Sequence, residues 1–96
     1  MSKFYILKNK KPIPCKTVQE WALLFKNDMR RVAFDTINDS DVSTVFLGID
    51  HSWKTETPLL FETMIFGGKH DQYQTRCSTW EEALIQHKEA GQLINL

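Results

Sequence analysis

The pattern of apolar and polar residues in the first third of the chain predicts a strand pair followed by a helix. An apolar strand covers residues 4–7, and beyond a polar turn the chain returns in an extended form that contains Pro12 and Pro14. Proline has no N–H to donate to a sheet, so this return is expected at a sheet edge. Thr17 and Glu20 have the spacing of a capping box and start a helix. Its buried stripe is predicted at helical spacing, at Val18, Trp21, Ala22, Phe25 and Met29.

Three strands are predicted in the middle of the chain. Val32, Phe34 and Thr36 are expected on one side of the first strand, which ends in the turn NDSD. The next two strands, VSTVFLGID and LLFETMIF, carry apolar residues on both sides. The predicted faces are Val45, Leu47 and Ile49 against Val42 and Phe46 in one strand, and Leu59, Phe61 and Ile65 against Leu60, Met64 and Phe66 in the other. Both faces of the sheet are therefore expected to be covered.

The last third of the chain predicts a fourth strand of this series and a second helix. Gly67 and Gly68 permit the turn into the strand. Two sets of side chains alternate along it, namely Tyr73, Thr75 and Cys77 against Gln72, Gln74 and Arg76. The helix has Ser78 or Thr79 as its cap, with Glu81 or Glu82 as the capping-box partner. Its buried stripe is predicted at Trp80, Ala83, Leu84, His87 and Ile94.

The predicted order of elements is β-β-α-β-β-β-β-α, which defines an α+β fold. Because the connections are short, the strands are expected to form a meander, a mostly antiparallel sheet of about four to six strands packed by two helices. A chain of 96 residues holds one modest hydrophobic core, so a single small globular domain over residues 1–96 is expected. Gly48, inside a strand, indicates a bulge or a close approach of Trp21 or Trp80.

Charge and composition exclude several classes of partner. Twelve basic and twelve acidic residues cancel, so no overall field attracts phosphate backbones, and nucleic acid is a disfavoured partner. No apolar run reaches the roughly 20 residues of a membrane span, which predicts a cytoplasmic protein without a membrane partner. Cys15 and Cys77 lie far apart without a CxxC motif, so both are expected to be reduced packing residues.

The segment DHSW follows an apolar strand and contains three candidate binding residues, Asp50, His51 and Trp53. His51 is either a metal ligand or general base oriented by Asp50 or Glu62, or a residue that caps the strand end with Asp50 through bonds to the backbone. The second interpretation is favoured, because neighbouring strand residues point to opposite faces. Trp53 and Tyr73 are interpreted either as lids over the core or as anchors for a protein partner.

Two ionisable residues lie within predicted apolar elements. Glu62 either faces a ligand as an acid or hydrogen-bond acceptor, or pairs with Arg76 across the sheet, and the pairing is favoured. His87 is expected to be a satisfied core imidazole, with Glu62, Asp50 or a backbone carbonyl as its partner. No catalytic residue, metal site or cofactor is predicted, since the motifs of phosphate loops, nucleophile elbows and calcium loops are missing.

Three segments, VSTVFLGIDH, PLLFETMIFGG and STWEEALIQH, carry a resemblance to a known group of proteins. They resemble a widespread group of short phage and prophage proteins, over the C-terminal half of the chain and more loosely over the first strand and the helix around Trp21. The resemblance implies a phage protein in the cytoplasm of a bacterial host. It also implies that the partner is a host or phage protein.

Three functions are compatible with these features. The favoured one is a non-enzymatic accessory protein that binds a host or phage protein and inhibits bacterial anti-phage defence. Its contacts are expected at exposed Trp53 and Tyr73 and at a lysine edge made of Lys8, Lys10, Lys11 and Lys16. The second is an oligomeric sponge for a nucleotide-like signal, which requires Glu62, His51 and Arg76 to converge with Trp53. The third and weakest is a small metal-dependent hydrolase built on His51, Glu62 and His87. A homo-oligomer is compatible with the first function and required by the second.

Overall fold

The computed structural model describes residues 3–26, 30–52 and 57–95 of the chain. The elements in chain order are β1 (Tyr5–Lys8), β2 (Lys11–Pro14), α1 (Val18–Leu24), β3 (Arg31–Ile37), β4 (Ser40–Phe46), β5 (Phe61–Phe66), β6 (Gln74–Cys77) and α2 (Trp80–Ile94). This is the predicted order, and the predicted α+β fold class is confirmed.

The strands form two antiparallel sheets rather than one. β1 and β2 make a hairpin, and β3, β4, β5 and β6 pair in chain order as a meander. A bridge between Phe4 and Ile49 joins the two sheets, and beside it the Tyr5 N–H donates to the Gly48 carbonyl at 2.8 Å. The hairpin is therefore attached to the chain that leaves β4.

Both helices begin at predicted caps. Thr79 and Glu82 form a complete capping box at the start of α2. At the start of α1, Thr17 Oγ1 accepts from the Glu20 N–H at 3.1 Å. Glu20 Oε1 accepts from the Lys16 N–H at 3.3 Å, one residue before the cap. The predicted helix starts are confirmed. In α1 the second hydrogen bond of the capping box comes from the Lys16 N–H instead of the Thr17 N–H.

α2 lies across one face of the four-stranded sheet and forms much of the core with it. Ala83, His87 and Ala90, at spacings of four and three residues, face the sheet. Leu84 was predicted in this stripe but is 45% exposed, because it is turned about 100° from Ala83 around the helix axis. The larger fully buried side chains are Val42, Thr44, Phe46, Leu60, Phe61, Thr63 and Ile65.

α1 is shorter and less buried than predicted. It ends at Leu24, and Met29, the last residue of the predicted stripe, lies outside the described residues. Val18 is 45% exposed and Ala22 is also exposed, so the predicted burial is wrong at both. This helix of two turns packs mainly through Trp21 and its C-cap residue Phe25. The centroids of neighbouring rings are 4.9 to 6.0 Å apart along the row Phe4, Trp21, Phe25, Phe46 and Phe61.

Gly48 allows the chain to turn away from β4 beside this row of rings. Its φ of 76° lies in the left-handed region that favours glycine. A Cβ at this position would overlap the ring of Phe25. The predicted close approach is present, but the neighbouring ring is Phe25 rather than Trp21 or Trp80.

A bulge changes which way the first residues of β3 point. The pairing of β3 with β4 shifts between Arg31 and Ala33, and Val32 packs against the core. Phe34 is 45% exposed on the other side, so the prediction that it shares a side with Val32 is wrong. Leu60, 1% exposed, also joins the core, although strict alternation predicted the opposite face.

Within the described residues, α2 and the β1–β2 hairpin pack on the same face of the four-stranded sheet. The prediction of two covered faces is wrong for residues 3–26, 30–52 and 57–95, because the short α1 packs on the hairpin. The opposite face, called the open face below, carries half-buried and exposed side chains in three rows. The rows are Thr36, Asp41 and Phe66; then Phe34, Ser43, Met64 and Gln74; then Arg31, Val45, Glu62 and Arg76.

Candidate functional site

The open face presents large apolar side chains to solvent. Phe34 is 45% and Phe66 is 43% exposed; Phe66 follows the half-buried Met64 by two residues on β5, and Phe34 lies two strands away from Met64 on β3. The Arg31 guanidinium lies over the Phe34 ring, 4.6 Å from its centroid, which is cation–π geometry. Apolar surface flanked by charges is the composition of surfaces that bind other proteins.

An ion pair between Glu62 and Arg76 borders the apolar part of the open face. The two residues are register partners on β5 and β6, and Arg76 Nε donates to Glu62 Oε2 at 2.9 Å. The predicted pairing across the sheet is confirmed. The side chains are 34% exposed for Arg76 and 16% for Glu62, so the pair is partly screened by water and stabilises the fold only modestly.

Asp50 and His51 form the end of the chain segment that follows β4. Asp50 Oδ1 accepts from the Ser52 N–H at 2.7 Å and from the Leu59 N–H at 3.0 Å. Burial opposes ionisation of Asp50, but these hydrogen bonds, helped by the charge of Lys3, outweigh it and lower the pKa. His51 Nδ1 lies 2.8 Å from the Ile49 carbonyl. These bonds to the backbone are those of the favoured strand-end interpretation.

His51 and Glu62 are not opposite each other. The His51 N–H donates to the Leu59 carbonyl at 3.0 Å, which places Leu59 beside His51. Glu62, three residues further along, is opposite Val45. The approach of His51 to Glu62, one of the two pairings offered in the first interpretation of His51, is therefore not formed.

The aromatic candidates lie apart from the ion pair. Tyr73 is 36% exposed and precedes β6, where its carbonyl accepts from the Ile65 N–H at 3.0 Å. Trp53 lies outside the described residues. The structure thus brings Glu62 and Arg76 into contact, keeps Asp50 and His51 in one loop, and places Tyr73 elsewhere.

A chain of four polar side chains runs through the interface between the sheet and α2. Thr63 Oγ1 is 2.6 Å from Thr44 Oγ1, and Thr44 Oγ1 is 2.7 Å from His87 Nδ1. His87 Nε2 donates to Asp35 Oδ2 at 2.7 Å. Because the carboxylate only accepts, the Nε2 proton of His87 lies toward Asp35, and Thr44 Oγ1 joins His87 Nδ1 to the Thr63 hydroxyl. Each buried group therefore has a partner.

This chain has the order of a hydrolase triad, carboxylate to imidazole to hydroxyl, but its hydroxyl is not available for catalysis. Thr44 is fully buried and Thr63 is 1% exposed, whereas a nucleophile must reach a substrate. Asp35 is the member that reaches solvent, with a side chain 63% exposed. The chain thus links the buried core to the surface and stabilises the packing of α2.

The partners predicted for His87 are wrong. Glu62 belongs to the open face, on the other side of the sheet from α2, and Asp50 bonds its own loop. The sequence does contain one sign of the hydrogen-bond partners that His87 has in the structure. Thr44 and Thr63 occupy inward positions of apolar strands, where a buried hydroxyl requires a partner. The contact with Asp35 requires the tertiary fold, since 52 residues separate it from His87.

No three or more His, Cys, Asp or Glu side chains in the described ranges come close enough to hold a metal ion together. His51, Glu62 and His87, the ligands of the metal-hydrolase hypothesis, lie in three different places. Both thiols are buried, and burial raises the pKa of Cys77 to about 11 and also raises that of Cys15. Both are therefore protonated at neutral pH and weakly nucleophilic.

The chain matches no protein-family model, no curated protein and no solved structure. The resemblance to short phage and prophage proteins therefore stays a prediction. None of the helices in the described part of the chain is long and apolar enough to cross a membrane.

Proposed function

We propose that this chain is a protein-binding module that contacts its partner through the open face. The observation that carries the proposal is the pair of exposed rings, Phe34 and Phe66, on a sheet face that α2 and the hairpin leave uncovered. Exposed aromatic side chains are typical anchors of protein interfaces, because they bury a large area while losing few rotamers.

The size of the open face indicates the kind of complex. Four strands about 4.8 Å apart and rows spanning about four residues at 3.4 Å each give a patch of about 260 Å². Two such surfaces bury about 520 Å² in total, below the roughly 1,200 Å² of stable standard interfaces. The open face alone therefore supports a weak or transient complex, and a tight one requires further contacts around it.

The charges around the rings indicate the chemistry of the partner. Arg31 is exposed beside Phe34, and Arg76 remains partly exposed although it is paired with Glu62. The matching surface is apolar at its centre with a carboxylate on the side that meets Arg31. The surface supports a protein partner, and the sequence resemblance alone supports that this partner is a host or phage protein and that the role is accessory, such as inhibition of bacterial anti-phage defence.

A paired-variant capture experiment tests the proposal. Tagged wild type, Phe34→Thr/Phe66→Thr and the control Leu23→Thr/Ile85→Thr are used to capture proteins from bacterial lysate, with identification by mass spectrometry. Leu23 and Ile85 are 76% and 59% exposed and lie on the two helices, so the control removes as many exposed apolar side chains from elsewhere. Circular dichroism establishes that all three are folded.

The proposal predicts a partner captured by wild type and by the helix control but lost from the Phe34/Phe66 variant. Capture that persists in the Phe34/Phe66 variant, or that fails only in the helix control, contradicts it. A concentration-dependent dimer of the wild-type protein in light scattering, abolished by the same Phe34/Phe66 variant, would show that the open face binds a second copy instead.

The sponge hypothesis has less support. Glu62 and Arg76 do meet, but they neutralise each other on the open face, and His51 is opposite Leu59 instead. An anionic nucleotide would have to displace Glu62 from Arg76. No observation therefore favours this surface as a nucleotide site.

A further inference from the structure

A cleft of about 240 Å³ lies between α2 and β3, on the opposite side of the sheet from the open face. One wall is formed by Asp35 and Ile37 of β3, and the other by the stripe of α2 that contains Lys88, Gln92 and Asn95. These helix residues follow at spacings of four and three, so they lie on one side of the helix. The cleft therefore has one wall of strand and one wall of helix.

Gly91 explains why the cleft is narrow. It lies between Lys88 and Gln92 on the same stripe, and a Cβ built on it would be 3.2 Å from Ile37 Cδ1. Helix and strand thus approach more closely here than side chains would normally allow. The half-buried Ile37 gives the cleft an apolar wall, with polar groups around it.

The two charged groups of the cleft have opposite signs and are held differently. The Asp35 carboxylate is fixed at 2.7 Å from His87 Nε2, and His87 is fixed in turn by Thr44. One carboxylate oxygen of Asp35 is thereby occupied, and the 63% exposure of the side chain leaves the other available to a ligand. Lys88 is exposed on the helix wall. A carboxylate oriented before binding loses little conformational entropy when it binds a cation.

We infer that this cleft binds a small zwitterionic molecule of the amino-acid class. The ligand's ammonium group is bound by Asp35, its carboxylate by Lys88 and the side-chain amides of Gln92 and Asn95, and its apolar part lies against Ile37. Both charges of the ligand then meet an opposite charge, and its apolar group meets the apolar wall.

Size and charge disfavour other ligand classes. A cleft of about 240 Å³ suits a molecule of amino-acid size and is below the roughly 300 Å³ at which sites for drug-sized molecules begin. The Asp35 carboxylate repels phosphate groups. A metal ion would find a single carboxylate there, whose imidazole neighbour already donates its Nε2 proton to it.

The inference is tested by NMR titration of ¹⁵N-labelled full-length protein with L-leucine. Concentrations up to about 20 mM are used, which nearly saturate any site with a Kd of about 1 mM or tighter. Two analogues isolate the charges, since leucinamide lacks the carboxylate and N-acetyl-leucine lacks the ammonium group. Saturable shifts of the Gly91 and Ile37 amides are expected with leucine, and binding at least about tenfold weaker with either analogue, because each loses a charged hydrogen bond. Absence of saturable shifts at these amides, or equal binding of all three compounds, overturns the inference.

Two variants assign the charges to their partners. Lys88→Met is expected to distinguish leucine from leucinamide less than wild type does, because only the amides of Gln92 and Asn95 then remain for the ligand carboxylate, and Asp35→Asn is expected to bind leucine and N-acetyl-leucine equally. The matched controls Lys69→Met and Glu89→Gln change exposed charges in the turn before β6 and elsewhere on α2, and are expected to bind as wild type does.

Lys88 makes the decisive test, because Asp35 also supports His87 and its replacement weakens the fold. If Lys88→Met discriminates leucine from leucinamide as wild type does, the inference is wrong. The cleft is independent of the proposed function, so Phe34→Thr/Phe66→Thr is expected to bind leucine normally. The two ideas can therefore fail separately.

Discussion

The polar chain under α2 predicts an unusual result for three variants in which valine replaces Thr44, Thr63 or both. Thr44→Val removes the hydroxyl that contacts both Thr63, at 2.6 Å, and His87, at 2.7 Å. It leaves two polar groups buried without a partner, the Thr63 hydroxyl and His87 Nδ1. At about 1–3 kcal/mol for each orphaned group, the free energy of unfolding should fall by at least about 2 kcal/mol.

The other two variants leave different polar groups without a hydrogen-bond partner. Thr63→Val removes the end of the chain and leaves the Thr44–His87 contact, so a cost of about 1 kcal/mol is expected. In Thr44→Val/Thr63→Val only His87 Nδ1 lacks a partner. The double variant should therefore be more stable than Thr44→Val alone, by about 1 kcal/mol, which is the reverse of additive behaviour.

Urea unfolding followed by circular dichroism measures these differences. With a slope of about 1 kcal/mol per molar urea for a chain of this size, Thr44→Val should lower the midpoint by about 2 M. Thr36→Val, at an exposed threonine bonded to Asp41, is the control and should change stability by less than about 0.5 kcal/mol. A double variant that is no more stable than Thr44→Val alone refutes the reasoning.

Three further predictions concern individual residues. The charged form of Asp50 stabilises the fold, because folding lowers the pKa of this carboxyl. The stability advantage of wild type over Asp50→Asn should be complete above the ordinary aspartate pKa of about 3.9 and should shrink as the pH falls below it. An advantage that grows on acidification contradicts this. Gly48→Ala should cost about 1–3 kcal/mol in the same urea assay, because alanine is strained at a φ of 76° and its methyl group overlaps Phe25; unchanged stability would contradict the geometry. Cys77, 6% exposed with its pKa raised to about 11, should react with iodoacetamide at pH 8 far more slowly in native protein than in urea; mass spectrometry of the peptide should detect no rapid native labelling.

The order and type of the elements could be predicted because their signals are local. The Thr17 and Thr79 caps, the alternation in β4 to β6 and the two glycines before β6 each act within a few residues of chain. A bulge is not a local signal of this kind, and the one in β3 turned Val32 toward the core and left Phe34 exposed. The bulge therefore places Val32 on the side of the sheet opposite to Phe34, whereas strict alternation predicts both on the same side.

The open face and the polar chain under α2 depend on how distant elements pack, which the pattern of apolar and polar residues does not specify. Alternate apolar residues on both sides of β4 and β5 predicted two covered faces, but covering a face requires a second layer, and the short α1 packs on the hairpin instead. The Glu62–Arg76 pair was predictable because it joins neighbouring strands of a meander. The Asp35–His87 contact was not, since no pairing rule connects the first strand of the sheet to the last helix.

The central claim, that the open face binds another protein, is tested most directly by photo-crosslinking inside bacterial cells. The photoreactive amino acid p-benzoylphenylalanine is placed at Phe34 or Phe66, and in separate proteins at the exposed helix positions Leu23 or Ile85. The claim predicts light-dependent adducts of one defined mass at Phe34 and Phe66 but not at the two helix positions. Adducts confined to Leu23 or Ile85, or no adduct at either phenylalanine, would contradict it.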